Sequence, residues 1–109
     1  MLREEIKFFR GDYHEVKFKF KSYTGDVNKV YFTVKCEERL VRIAKSLDKG
    51  ITKDGEWFII TFLPDDTNNL SIGLDMIYDI QIIINDKPLT IAKGAFVLEE
   101  DVTRPAEEV

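Results

Sequence analysis

Between residues 73 and 85 the chain reads GLDMIYDIQIIIN. Met76, Tyr78, Ile80, Ile82 and Ile84 share one parity, and Ile77, Asp79, Gln81 and Ile83 share the other. Side chains alternate faces along a strand, so the pattern predicts one wholly apolar face and one mixed face, as in the middle of a sheet. Three consecutive isoleucines are stiff at χ1 and disfavour a helix there. A second alternation runs over 13–21, with Val16, Phe18 and Phe20 on one face and Lys17, Lys19 and Lys21 on the other. That predicts a strand with one face to the core and one to water, its lysines guarding against stray edge pairing. Residues 29–37 repeat the theme with Val30, Phe32, Val34 and Cys36 in phase.

Shorter strands are expected at Ile6 and Phe8, at Val41 and Ile43, over 56–63 (EWFIITFL, apolar on both faces), at 89–92 and at 95–99. Turn signals fall at Arg10-Gly11-Asp12, Thr24-Gly25-Asp26, Lys53-Asp54-Gly55 and Asn85-Asp86-Lys87, where Gly, Asp and Asn accept positive φ cheaply. A polar stretch fills 45–50. Pro64 to Leu70 suits at most one helical turn, with Pro at a first position, Asp or Thr as caps and Leu70 falling into the core. Seven or eight short strands with turns every eight to twelve residues predict an all-β sandwich in preference to a small barrel. Its core draws on Val16, Phe18, Phe20, Phe32, Val34, Tyr78, Ile80, Ile82 and Phe96. The spacing of Leu70, Gly73 and Tyr78 is similar to the tyrosine corner of immunoglobulin-like domains, in which a tyrosine hydroxyl ties a loop down.

Composition narrows the class. The 109 residues are 44% hydrophobic and 12% aromatic, enough for one core and one domain, expected over 1–104 with 105–109 a frayed tail. Sixteen Lys and Arg against twenty Asp and Glu leave a net charge of −4, opposite in sign to the usual nucleic-acid binder, so no nucleic-acid partner is expected. No apolar run approaches the roughly 20 residues that span a bilayer, and the start MLREEIKFF lacks a signal-peptide core. The lone Cys36 cannot form an internal disulfide. A product made in the cytoplasm, with no membrane partner, is the expectation.

Chemical motifs are sparse. Cys36 and the single His14 are the one conceivable Cys-His pair, but Cys36 is in phase with core residues and no third group orients the imidazole, so no catalytic residue is assigned. One Cys and one His fall short of a zinc set, and the run Asp65-Asp66-Thr67-Asn68-Asn69 lacks calcium-loop spacing and reads as helix capping. No glycine-rich phosphate loop exists, and no cofactor is expected. Carboxylate pairs such as Asp65-Asp66 and Glu99-Glu100 read as solvated surface. Arg10-Gly11-Asp12 reads as a turn with Arg10 and Asp12 facing water. Trp57, the sole tryptophan, lies in an apolar strand and is expected in the core; if exposed it would suit stacking on a sugar ring.

The order of these landmarks carries a resemblance. Arg10-Gly11-Asp12 closes a first strand, Gly55 opens one that ends at Leu63-Pro64, and Asp66-Thr67-Asn68-Asn69-Leu70 follows. Gly73, Tyr78-Asp79-Ile80-Gln81, Asp86, Thr90, Gly94 and Asp101-Val102-Thr103-Arg104 complete the series. Over roughly 6–104 this resembles the N-terminal domain of phage baseplate upper proteins and their stand-alone relatives in phages and prophages. The resemblance implies an immunoglobulin-like β-sandwich of antiparallel strands in a tail or baseplate, with other tail proteins or its own copies as partners and incorporation into the virion. Arg10, Gly11, Asp12, Thr67, Leu70, Gly73, Tyr78 and Asp79 are its structural motif positions. Met76 stands where the family often has an aromatic. With no module after Val109, an accessory or adaptor subunit is expected rather than a receptor-binding carrier.

Two functions fit these residues. In the first, a non-enzymatic structural protein meets its partner through the edge at Ile6, Phe8 and Phe9, where an open strand can extend another sheet and an aromatic can anchor it. In the second, a carbohydrate-binding module uses Trp57 on an exposed sheet face.

Overall fold

A computed structural model describes residues 4–19, 27–36, 40–73 and 75–100, with Asn28 as backbone only. The expected positions of Phe20 and Lys21, the turn at 24–26, the break after Cys36 and the closing 101–109 lie outside the described residues. Eight strands and one helical turn follow in chain order: β1 (Ile6–Phe9), β2 (His14–Phe18), β3 (Val27–Cys36), β4 (Leu40–Leu47), β5 (Gly50–Asp54), β6 (Trp57–Phe62), α1 (Pro64–Thr67), β7 (Met76–Ile84) and β8 (Lys87–Glu99).

Hydrogen bonding joins the strands in the order β1-β8-β7-β3-β4-β5-β6-β2. Neighbouring strands are about 4.8 Å apart, so a flat sheet would hold β8 and β6, five places apart, at about 24 Å. The rings of Phe62 on β6 and Phe96 on β8 are instead 5.8 Å apart, and Phe62 lies 5.5 Å from Phe32 on β3. The ladder therefore doubles back between β4 and β5, whose pairing consists of Ser46–Gly50 and Leu47–Ile51. Two layers result, β1-β8-β7-β3-β4 over β5-β6-β2. Two layers of mainly antiparallel strands packed face to face across an aromatic core make this an immunoglobulin-like β-sandwich. The pairing is mainly antiparallel, but β1 runs parallel to β8 and the short β4–β5 contact is parallel as well.

The long apolar runs behave as their periodicity requires. On β7, Met76, Tyr78, Ile80 and Ile82 are buried, and the strand lies between β3 and β8. On β3, Val30, Phe32, Val34 and Cys36 are buried in the same phase. Phe18 is buried on β2, while Val16 is half-buried and packs against the core from the sheet edge. The Asn85-Asp86 turn holds both residues at positive φ, 50° and 63°, as a tight hairpin demands.

Two elements depart from expectation. The segments at 89–92 and 95–99 form one strand, because pairing with β7 runs on through Lys93 and Gly94; it slips only between Ile80–Ala92 and Gln81–Thr90, which leaves Ile91 as an extra residue in β8. Such a bulge keeps the strand continuous while shifting its alternation. The polar stretch 45–50 is also largely strand. β4 continues to Leu47, and the corner turns on Asp48 (φ 69°) and Gly50 (φ 98°), with the Asp48 N–H donating to Ile51 O at 2.7 Å. Ile51 is then fully buried.

Candidate functional site

The flank of the sandwich formed by β1 and β2 carries the expected contact edge. Both strands end the ladder, one in each layer, and the stacked rings of Phe8 and His14, 4.5 Å apart, join them. Ile6 and Phe8 point into the core, so as side chains they correct the expected contact set; only Phe9, 45% exposed, faces outward. The correction follows from alternation: residues of even number in β1 turn inward, and the Phe8 ring lies 5.1 Å from Phe62 and 5.6 Å from Phe96. Lys7 meets Glu99 at 3.7 Å on the surface, a pair worth little in water.

The motif residues converge on the end of this flank. The Gly11 N–H donates to Thr67 Oγ1 at 2.8 Å, and the Arg10 guanidinium donates to Leu70 O at 3.2 Å. The Arg10 N–H donates to Glu99 O at 2.9 Å, and the Asp12 N–H to Phe9 O at 3.2 Å. Thr67 is fully buried, and Gly11 holds φ 83° with space for a Cβ only 2.6 Å from Asn68 Oδ1. Arg10 is therefore half-buried and bound into the fold rather than turned to water, while Asp12 is exposed as expected. Gly73 sits at φ 87° in the exposed turn before β7, and Asp79 is half-buried on the outer side of that strand.

Tyr78 ties a different segment from the one its spacing suggested. Its hydroxyl donates to the backbone oxygen of Glu4, just ahead of β1, instead of closing the loop behind Leu70. Gly94, its cross-strand partner, admits this contact: a Cβ there would lie 2.5 Å from Glu4 O and 3.1 Å from the Tyr78 ring. Burial, and then the nearby Glu4 carboxylate, push the Tyr78 phenol above its ordinary pKa.

Asp66 is not plain solvated surface. One of its oxygens accepts from Lys45 Nζ at 2.9 Å and from the Leu63 N–H at 2.7 Å. The Lys45 side chain is only 9% exposed, and its ammonium lies 5.6 Å from the Phe62 ring. Nothing in the sequence marks this pair, because β4 and α1 meet only in the fold.

His14 stacks on Phe8 and Cys36 is a buried free thiol. Among the described residues no group of three His, Cys, Asp or Glu side chains is arranged to hold a metal. Trp57 corrects the expectation of a core residue: it is 42% exposed on β6, and Lys19 Nζ lies 4.7 Å from its ring centre. The alternation of β6 explains this, since Phe58, Ile60 and Phe62 take the inward places. On the outer side of the larger layer, Ile77 and Val41 are both exposed and flank Lys35 across β3. The odd-parity isoleucines of β7 were the signal for that strip.

No family model matches the chain, and no curated protein matches it. Among solved structures it is similar to the extracellular domain of the voltage-gated sodium channel beta4 subunit, described as a parallel homodimer with a role in cell–cell adhesion. The match has a TM-score of 0.47 and 11% identity over 98% of this chain and 93% of that one. At that level it carries no argument, and the fold assignment rests on strand order and packing.

Proposed function

We propose that this domain is a non-enzymatic structural or adaptor part of a phage or prophage tail or baseplate, working through protein–protein contacts. The observation that carries the contact is β1, which ends the ladder among the described residues and presents Phe9 outward beside a backbone edge able to extend a partner's sheet. The motif series supports the tail assignment. Arg10, Gly11, Thr67 and Leu70, far apart in the chain, meet in one tie that holds this edge in place. No cofactor is needed for such a role.

Phe9→Asp tests the contact. The exposed position leaves folding intact, so circular dichroism should be unchanged while co-assembly with tail proteins falls at least severalfold. Unchanged assembly removes β1 from the interface. Mass spectrometry of purified particles tests the setting: peptides at a fixed ratio to known tail proteins support it, and absence from intact particles counts against it.

The exposure of Trp57 favours the carbohydrate reading as a second possibility. Lys19 over the ring would have to give way before a sugar could stack there. Titration with cell-wall glycans that leaves tryptophan emission unmoved would dismiss it.

A further inference from the structure

We propose that β2 is a self-pairing edge, on which a second copy of this chain docks antiparallel about a two-fold axis through Val16. The inference does not depend on the tail reading. β2 bonds to β6 on one side and ends the ladder on the other, so among the described residues one row of its backbone groups has no neighbouring strand. Such an edge is a template for another strand unless something forbids it.

The side chains of β2 discriminate between the registers in which a second copy can pair. A two-fold axis perpendicular to the sheet keeps inward residues opposite inward ones, so the axis must pass through a residue. Through Val16, it places Glu15 opposite Lys17 of the second copy, twice over, and His14 opposite Phe18. One step along, an axis through Lys17 sets that lysine against itself. One step back, an axis through Glu15 sets two carboxylates face to face. Like charges directly opposite destabilise a strand pair and opposite charges favour it, so one register is selected from its neighbours.

The surroundings agree with this register. Glu15 and Lys17 are both exposed, and neither side chain enters an ion pair within the chain among the described residues. One Glu15 oxygen accepts from the Tyr13 hydroxyl at 3.1 Å, and a carboxylate has capacity for a further donor. Lys19, the next lysine along the chain, is drawn over the Trp57 ring. Val16 points inward yet is only half-buried because the sheet stops there. Its own copy across the axis would cover it with a matching apolar surface.

Sedimentation across a wide concentration range tests the pairing. The wild-type chain should show a monomer–dimer equilibrium. Glu15→Lys and Lys17→Glu, each alone, turn both attractive pairs into repulsive ones and should weaken dimerisation roughly thirtyfold. Mixed together, the two variants oppose lysines with glutamates at every pair, and should dimerise with each other as the wild type does. Val16→Cys supplies a reading independent of charge. Opposed residues are about 4.5–5.5 Å apart at Cα, within disulfide reach, so oxidation should link two chains through that position. A wild type that stays monomeric at the highest concentration overturns the proposal, as do single variants that dimerise normally or a mixture that does not.

Discussion

Tyr78 shows how much one buried hydroxyl fixes. Its phenol holds the Glu4 carbonyl, so Tyr78→Phe should cost about 1 kcal/mol at neutral pH, measured by urea unfolding. The pH dependence has a definite sign. The folded phenol keeps its proton to a higher pH than the unfolded one, which titrates near about 10. Its contribution is fully present below about pH 10 and is lost as pH rises through the raised folded value. The stability gap between wild type and Tyr78→Phe should therefore shrink in that alkaline range; a gap that widened would contradict the assignment. Lys45 and Asp66 allow a second test, because their burial is unequal. Lys45 is nearly enclosed and Asp66 retains some water, with side-chain exposures of 9% and 28%. Asp66→Ala strands a buried ammonium and should cost about 3 kcal/mol. Lys45→Met keeps the stem over Phe62 and leaves Asp66 its Leu63 N–H, so the loss should be smaller, about 1–2 kcal/mol. Equal losses would mean that the lysine is not the costly partner.

At the scale of elements, legibility follows from how local the determinants are. β7 and β3 were plain because alternating Ile, Val, Phe and Tyr state their own faces. α1 was plain because Pro64 and the acidic residues after it are first-turn chemistry. The corner between β4 and β5 was hidden, since Lys45 takes a near-buried place only with Asp66 brought beside it from α1. β8 reads as two strands because Lys93 and Gly94 separate its apolar segments, and only the partner strand shows that pairing runs on through Asp79–Lys93 and Tyr78–Gly94. Of the candidate site, the sequence marks β1 as a short strand near the chain's start, but it does not say that Ile6 and Phe8 turn inward and leave Phe9 outside. The link between the β1–β2 turn and α1 gives a prediction at this scale. Thr67→Val preserves shape but leaves the Gly11 N–H without its acceptor, and should cost about 1–2 kcal/mol. Thr67→Ser keeps the oxygen and should retain most of that stability. If the two variants prove equally stable in thermal melts, the hydroxyl is not the tie.

For the whole molecule, the question is whether two layers joined by a two-pair corner behave as one folding unit. The corner alone is a slender link, so cohesion must come through the core. Phe62 of the smaller layer packs on Phe8, Phe32 and Phe96 of the larger one, at 5.1, 5.5 and 5.8 Å. Neither layer can leave without exposing the inner face of the other, and small domains with one core unfold in a single step. Trp57 offers a local probe, since it belongs to the smaller layer and its contact with Lys19 ends when β2 and β6 separate. Far-UV circular dichroism reports on all strands together. Both signals should give one midpoint in denaturant, and Phe62→Ala should move them together by about 3–5 kcal/mol through the cavity it opens between the layers. A tryptophan transition that ran ahead of the dichroism would show β5-β6-β2 loosening on its own. The β2 edge would then be a feature of a partly open state rather than of the closed sandwich.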